Sequence, residues 1–178
     1  MANVFKEGKM LSNVADSYLA NAVGEVVIPD GALVVLGNLV ANTTYDANGL
    51  EYDLYEAAAP AADTDEVVIV DYAGISEGDI YNNTYKMGVK LYGLNVPVGT
   101  PTRVRRLALH DKFWLGDGNF NGAPTVGQYA TAEADEFTHK PAAAVPASGY
   151  AVKVLLKEGF TTGMTDRGYL YLCEVVQL

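Results

Sequence analysis

Basic residues are missing from a long stretch of this chain: neither Lys nor Arg occurs between Lys9 and Lys86. Over the same stretch, twelve Asp and Glu lie between Glu25 and Asp79, whereas the part from Arg103 onward has eight basic and eight acidic residues. The first part therefore carries the whole net charge of −10. A phosphate backbone or an anionic membrane surface would be repelled by such a chain, so the composition argues against nucleic acid and membrane partners.

Cysteine and histidine are scarce as well. The single cysteine, Cys173, excludes an internal disulfide, and its place in an apolar, tyrosine-containing run predicts a small core residue instead of a reactive thiol. His110 and His139 stand far apart, which leaves too few ligands for a His/Cys metal cluster. The sequence has no Gly-x-Ser-x-Gly elbow, Walker loop or dinucleotide fingerprint. We therefore expect no enzymatic activity, no catalytic residues, no metal and no cofactor.

Long apolar runs are also lacking. No stretch reaches the roughly 18 apolar residues that a membrane-spanning helix needs. The first residues contain no apolar segment of signal-peptide length. These absences predict a soluble protein that is made in the cytoplasm.

The chain is rich in the residues of strands and turns. Apolar residues make up 49% of its 178 residues, and it has eighteen Gly, seven Pro and twelve Tyr, a mixture that favours short strands joined by tight turns. Strand-like runs recur roughly every 8–14 residues, which is typical of β-sandwiches and barrels. We predict an all-β fold of the sandwich or barrel type with about ten short strands.

The clearest predicted strand is the continuous apolar run over 32–40, which follows the turn Pro29-Asp30-Gly31. A second buried strand is predicted over 67–70, and Asn48-Gly49 predicts a hairpin. Alternating or apolar segments predict further strands, over 89–94, 104–109, 126–131, 135–139, 149–157 and 168–177.

The first 24 residues are the least strand-like part of the chain. Ser12 is placed to cap a short helix through Val14, Leu19 and Val23, while an extended arm that packs on a neighbouring subunit fits the same residues. We therefore divide the chain into an N-terminal arm, residues 1–24, and a β-domain, residues 25–178.

A faint internal repeat has an offset of 84 residues. Segments 52–57 and 67–70 have counterparts at 136–141 and 151–154, in each case an alternating segment, an Ala/Pro-rich loop and a Val-rich strand. The repeat indicates two related β-subdomains, residues 25–100 and 101–178, and a chance match is the alternative.

Arg103, Arg105 and Arg106 form a local basic cluster. On a strand, Arg103 and Arg105 share one face and Val104 points to the other. One interpretation is an ordinary exposed strand, and the other is an interface that docks on an acidic face of a neighbouring subunit. In both interpretations the charges are exposed, so their replacement would leave the stability of the isolated chain almost unchanged.

The segment Asp117-Gly118-Asn119-Phe120-Asn121-Gly122 matches the first half of a calcium-binding loop. The second half fails, because Gln128 stands where such a loop needs Glu and Pro124 intrudes. We interpret the segment as a flexible loop between strands and keep calcium binding as the alternative.

Two stretches carry a resemblance to a known family. The first stretch consists of Gly31-Ala32-Leu33-Val34-Val35-Leu36-Gly37, the Ala-rich loop over 57–62 and the Val-rich strand after it, and it resembles the small decoration proteins of tailed-phage capsids. The second stretch has a similar composition and runs from Gly127-Gln128-Tyr129 through Ala142-Ala143-Ala144 to Val152-Lys153-Val154. The resemblance covers residues 25–72 and 124–158. The length of the chain and the insertion over 73–123 depart from the smallest such proteins, and no functional residue is carried over.

This resemblance implies a β-rich structural virion protein that binds the major capsid protein on the outer surface of an icosahedral shell. It also implies self-association, with a homotrimer favoured and an N-terminal arm that adds contacts. The alternative is a carbohydrate- or receptor-binding β-module of a phage fibre or cell-surface protein, because twelve tyrosines offer ring faces for stacking. A small β-fold enzyme is the third hypothesis.

Overall fold

The computed structural model describes residues 3–40, 54–72, 95–162 and 166–178. These segments form thirteen strands and three short 3₁₀ helices, so the fold is all-β as predicted. The predicted Asn48-Gly49 hairpin and the predicted strand over 89–94 lie outside the described residues. The strands are β1 Phe5–Glu7, β2 Leu19–Gly24, β3 Ile28–Pro29, β4 Leu33–Leu39, β5 Leu54–Ala58, β6 Val68–Asp71, β7 Asn95–Val96, β8 Thr102–Arg106, β9 Lys112–Gly116, β10 Tyr129–Ala132, β11 His139–Ala142, β12 Ala151–Thr162 and β13 Asp166–Gln177. The 3₁₀ helices are Leu11–Asn13, Asp16–Tyr18 and Asp117–Asn119.

Most strands belong to a barrel or to an open sheet. β2, β5, β4, β6 and β8 close into a five-stranded barrel in that order, and β1, β9, β13, β12, β10 and β11 form a six-stranded sheet. β3 and β7 form a separate two-stranded ladder. The pair β2–β5 is parallel, whereas the ladders that join the other barrel strands are antiparallel. None of the helices in the described segments is long and apolar enough to cross a lipid bilayer.

Strands β4 and β6 are buried on both faces at the point where they pair. Val34 and Val68 belong to the core inside the barrel, while Leu33 and Ile69 belong to the core between the barrel and the six-stranded sheet. A strand with one solvent face would alternate apolar and polar residues, and these two strands do not. Their continuous apolar sequences therefore follow from cores on both sides.

The core between barrel and sheet holds the larger side chains. Phe5, Phe113, Leu115 and Tyr171 are each at most 1% exposed there, and a fully buried side chain of this size contributes roughly 1.5–3 kcal/mol. Cys173 is a buried member of this core, as predicted. Burial raises the pKa of the Cys173 thiol far above its ordinary value, so the thiol stays protonated.

Residues 3–24 are part of both sheets, so the predicted boundary of an N-terminal arm at residue 24 is wrong. β1 pairs with β9, with Phe5 opposite Leu115, and β2 closes the barrel between β5 and β8. The predicted helix from Ser12 is replaced by two single-turn 3₁₀ helices. The physical reason is burial: Val4 and Phe5 are each 1% exposed, and strand pairing brings them into the core.

The predicted boundary between two subdomains, at residues 100 and 101, does not match the boundary between the barrel and the six-stranded sheet. β8, residues 102–106, belongs to the barrel, whereas β1 near the N-terminus belongs to the six-stranded sheet. The barrel strands therefore come from residues 19–106, and the sheet takes its strands from residues 112–177 together with β1.

Two strand triplets have the same arrangement. In the first triplet (β4, β5, β6) and in the second triplet (β10, β11, β12), the first strand lies between the other two and pairs with both in antiparallel fashion. Val70 donates to Ala32 O at 3.0 Å, and Val154 donates to Gln128 O at 2.9 Å. The sequence offset of 84 joins Val70 to Val154, so the repeated segments occupy equivalent places in the two triplets.

Candidate functional site

Arg105 lies between the barrel and the N-terminal residues and is only 3% exposed. Its guanidinium donates to the carboxylates of Asp71 and Glu7, at 2.7 Å in each case. The same group donates to the side-chain oxygens of Ser12 at 3.0 Å and Asn13 at 2.7 Å. A planar guanidinium with several donors suits such a site, because each donor meets an acceptor in a fixed direction. Arg105 therefore ties the start of the chain to β6.

The prediction that Arg105 belongs to an exposed docking cluster is wrong. Val104 does point into the barrel, as the alternation predicted, but the opposite face of β8 at Arg105 is covered by N-terminal residues that include Glu7. The acidic partner that was expected on a neighbouring subunit is supplied by the same chain. The expectation that replacement of Arg105 leaves the stability of the isolated chain almost unchanged is therefore wrong as well.

The other two arginines of the cluster are partly exposed. The Arg103 side chain is 43% exposed and contacts the Asp71 carboxylate at 2.6 Å. The Arg106 side chain is 40% exposed and lies 3.9 Å from the carboxylate of Glu66. Docking of Arg103 and Arg106 on a partner stays a prediction.

A second buried polar cluster fixes the first residues of β1. The carboxylate of Asp30, a fully buried residue, accepts hydrogen bonds from Phe5 N at 3.0 Å and Tyr72 N at 2.9 Å. Asn119 Oδ1 accepts from Val4 N at 3.0 Å, and Asn119 Nδ2 donates to Asp30 O at 2.6 Å. Buried polar groups that are fully hydrogen-bonded specify one packing. These two residues therefore join β1, the barrel and the loop after β9.

The segment over 117–122 is an ordered turn, which corrects the interpretation as a flexible loop. Its first three residues form a 3₁₀ helix, and Asn119 is 2% exposed. Asn119 Oδ1, the third ligand position of a calcium loop, accepts from Val4 N and from Gly116 N. Asn121 donates to Glu133 at 2.8 Å. The Asn119 oxygen that would serve as the third calcium ligand is thus engaged by two backbone N–H groups, which argues against the calcium alternative.

His139 is fully buried beside Tyr150. Its Nδ1 lies 3.2 Å from Asn119 O, and its Nε2 lies 3.0 Å from the Tyr150 hydroxyl. Burial lowers the pKa of His139 to about 4, although the bond to the Asn119 carbonyl acts in the opposite direction. The neutral imidazole therefore donates from Nδ1 and accepts the Tyr150 O–H at Nε2. Burial also raises the pKa of Tyr150 well above its ordinary value.

Asp111 forms a third contact that fixes the N-terminal residues, through the backbone of Leu11. Its carboxylate accepts from Leu11 N at 2.8 Å and from Ala108 N at 2.9 Å. The neighbouring His110 is exposed, has a φ of 70°, and lies 3.3 Å from Glu174. Sequence reasoning missed the roles of Asp111, Asp30 and Asn119. Each of them accepts from a backbone N–H near the start of the chain that lies 25 to 115 residues away in sequence, and no local pattern identifies such a pairing.

The two tyrosines of the core between barrel and sheet do not form a stacking surface. Tyr150 and Tyr171 are each 1% exposed. Among the described residues, the tyrosines that are exposed by 40% or more are Tyr72, which follows barrel strand β6, and Tyr169, which lies in β13 of the other sheet. The described rings therefore do not assemble into one sugar-binding platform.

An apolar cleft of about 800 Å³, which we call the barrel cleft, lies where the loops before β3 and after β7 meet β5. Val26 and Val98 in its wall are 51% and 57% exposed, and Phe137 is partly buried there. The two charged residues of its lining are Glu25 and Glu56. Neither carboxylate makes an ion pair or hydrogen bond with a described residue. The barrel cleft is thus an apolar surface whose two carboxylates are not neutralised by any residue that the structure describes.

β12 and β13 form a hairpin that is longer than the sheet around it. Its ladder extends to Thr162 opposite Asp166, but β9 pairs with β13 only as far as Leu170. The strand leading into β10 bonds to β12 as far as Val154. The rest, residues 156–162 and 166–169, has no further strand beside it in the described structure. We call this part the hairpin tip.

One face of the hairpin tip carries a cation on an aromatic ring. Lys157 Nζ lies 3.9 Å from the ring centroid of Tyr169, which is 43% exposed. No described carboxylate forms an ion pair with Lys157, so its positive charge remains available to a partner. Glu158 is the next residue and therefore points to the opposite face of the strand.

Searches against protein-family models, curated proteins and solved structures find no match to this chain. The two exposed features, the barrel cleft and the hairpin tip, are the candidate functional surfaces. The three buried polar clusters around Arg105, Asp30 and His139 hold the fold together.

Proposed function

We propose that the chain is a structural assembly protein that binds the outer surface of a phage capsid and stabilises or decorates it. The resemblance of residues 25–72 and 124–158 to capsid decoration proteins supports the choice of partner. The observation that carries the assembly role is the hairpin tip, which leaves the six-stranded sheet and continues as a two-stranded ribbon.

A two-stranded ribbon is at best marginally stable in water when nothing packs on it. Its outer edges also present backbone N–H and C=O groups that pair readily with another chain. A projecting ribbon with these properties suits a contact element whose apolar and backbone groups are covered in an assembled state. A capsid surface together with neighbouring copies supplies such cover.

The side chains that could take part in catalysis support the same proposal, because each is buried and bonded within the fold. His139 is held neutral between a backbone carbonyl and Tyr150. Cys173 is a protonated thiol in the core. Arg105 is fully engaged with four side chains of its own chain. We therefore assign the function to exposed surfaces and propose that the chain is not an enzyme.

Co-sedimentation with capsids tests the proposal. Empty capsids are assembled from a candidate major capsid protein encoded next to this chain and are mixed with the purified chain. We expect the chain to pellet with the capsids at a saturable ratio and to raise the temperature at which the capsids open. An unrelated acidic protein of similar size serves as the control and should stay in the supernatant. A chain that also stays in the supernatant at every ratio contradicts the proposal.

A further inference from the structure

We propose that the hairpin tip of one copy docks in the barrel cleft of a second copy, so that copies join head to tail. The inference rests on the proposed assembly function and names the surfaces of its self-contact. Both surfaces are exposed among the residues that the structure describes, and they have complementary chemistry.

The hairpin tip supplies a cation and an aromatic ring on one face. Lys157 and Tyr169 lie on the face that continues from the core, because Lys157 is opposite the core residue Tyr171 in the ladder. The ring of Tyr169 is 43% exposed, and the Lys157 ammonium lies over it. An aromatic ring next to a cation is a typical anchor of protein interfaces.

The barrel cleft supplies the matching apolar wall and negative charge. Val26, Val98 and Phe137 line it and offer apolar contact to a ring, while Glu25 and Glu56 offer carboxylates to an ammonium. Its lining contains no Lys or Arg. Opposite charges on two otherwise unpaired surfaces steer the encounter and fix its orientation. The exposed valines are the reason to expect an occupant, since contiguous exposed apolar surface marks contact sites.

The two surfaces belong to different parts of the molecule, so this contact is heterologous. The hairpin tip extends from the six-stranded sheet, and the barrel cleft is built on β2, β5 and their loops. A heterologous contact leaves one free tip and one free cleft after each step and continues until a ring closes or a filament grows. Closure after three copies gives the trimer that the sequence resemblance implies.

Charge reversal on each surface tests the contact. The mass of the chain in solution is measured by light scattering at low salt over a range of concentrations. We expect the wild type to show multiples of 19.0 kDa. Lys157→Glu and Glu56→Lys should each weaken self-association about tenfold or more, and the double variant Lys157→Glu/Glu56→Lys should recover a large part of it, because opposite charges meet again.

A mixing experiment separates this geometry from a symmetric contact between identical surfaces. Lys157→Glu keeps an intact cleft, and Glu25→Lys/Glu56→Lys keeps an intact hairpin tip. An equimolar mixture of the two should associate through a heterodimer of about twice 19.0 kDa and continue into larger species in which the variants alternate, because each tip then meets a cleft of opposite charge, whereas each variant alone stays monomeric. The matched control is Lys140→Glu in β11, whose side chain is 62% exposed, and it should associate as the wild type does.

Three results would overturn the inference: a wild type that is monomeric at all concentrations, single variants that associate as well as the wild type while retaining its circular dichroism, or a mixture that forms no heterodimer. The proposed function fails separately. Capsid binding by a monomeric wild type removes only the self-contact, and a ring that does not bind capsids removes only the capsid partner.

Discussion

The two strand triplets have similar internal pairing but belong to different kinds of sheet. Leu33 pairs with Ile69 in the first triplet, and Tyr129 pairs with Lys153 at the equivalent place in the second. Each triplet also has a positive-φ glycine two residues before its first strand, Gly31 at 76° and Gly127 at 91°. Nevertheless, the first triplet closes into a barrel, and the second lies at one side of an open sheet with a projecting hairpin.

The difference lies in the third strand of each triplet. β6 has four residues, all buried, and its last residue Asp71 is held by Arg105 and Arg103 of β8. β12 has twelve residues, and its residues 156–159 are exposed. A short strand with a buried ion-pair network at its end closes the barrel, while a long strand without such an end extends beyond its neighbours. The first triplet therefore provides stability, and the second provides a surface for contact.

The largest expected effect comes from breaking the ion-pair network of the barrel. Arg105→Ala leaves the Asp71 carboxylate buried without its buried ion-pair partner, so we expect a loss of about 3–5 kcal/mol in the free energy of unfolding. Urea denaturation measures this loss. Arg103→Ala is the matched control at a partly exposed side chain and should cost about 1 kcal/mol or less. Equal costs for the two variants would contradict the role assigned to Arg105.

The second-largest effect is a pH dependence of the unfolding free energy, which arises from His139 in β11 of the second triplet. The folded-state pKa of about 4 lies below the ordinary 6.5, so the unfolded chain binds the additional proton. This contribution to stability is complete above pH 6.5, decreases as the pH falls below 6.5, and is lost by about pH 4. The loss amounts to about 3 kcal/mol.

Comparison of the wild type with His139→Gln isolates this effect, because carboxylates titrate in both proteins. The difference in unfolding free energy between them should shrink from pH 7 to pH 4. A constant difference over this range would show that His139 is not held neutral by the fold.

The predictable part of the fold was the part with local signals. Continuous apolar runs marked β4 and β6, the turn after Pro29 was correct, and the offset of 84 pointed to equivalent strands. The N-terminal residues were not predictable, because Arg105 meets Glu7 and Ser12 across 98 and 93 residues of sequence. The barrel cleft could not be predicted from the sequence for the same reason, because its walls come from segments that lie far apart in the chain.

A smaller effect compares the glycines before the two triplets. Both Gly31→Ala and Gly127→Ala force an L-residue into a positive-φ conformation, at about 1–2 kcal/mol each. A Cβ at Gly31 would in addition meet Asn119 Nδ2 at 2.8 Å, whereas a Cβ at Gly127 meets nothing within 4 Å. Asn119 cannot move without losing its bonds to Asp30 and Val4. Thermal unfolding should therefore show the larger decrease for Gly31→Ala.

The smallest expected effect on stability belongs to the hairpin tip. Lys157→Glu removes an exposed cation–π contact, which contributes about 0.5–1 kcal/mol. The unfolding free energy should fall by no more than this, while self-association falls about tenfold or more. A loss of several kcal/mol would mean that Lys157 supports the fold, and the contrast between a stabilising first triplet and a contact-forming second triplet would not hold.

Hydrogen–deuterium exchange of the free and the assembled chain tests that contrast most directly. Amides of β4 and β6 should exchange slowly in both states, because both strands are buried on two faces. Amides over 156–162 and 166–169 should exchange fast in the dilute monomer and become strongly protected on assembly. Unchanged exchange of these amides in an assembled sample would contradict the account, since the hairpin tip would then not be the surface that assembly covers.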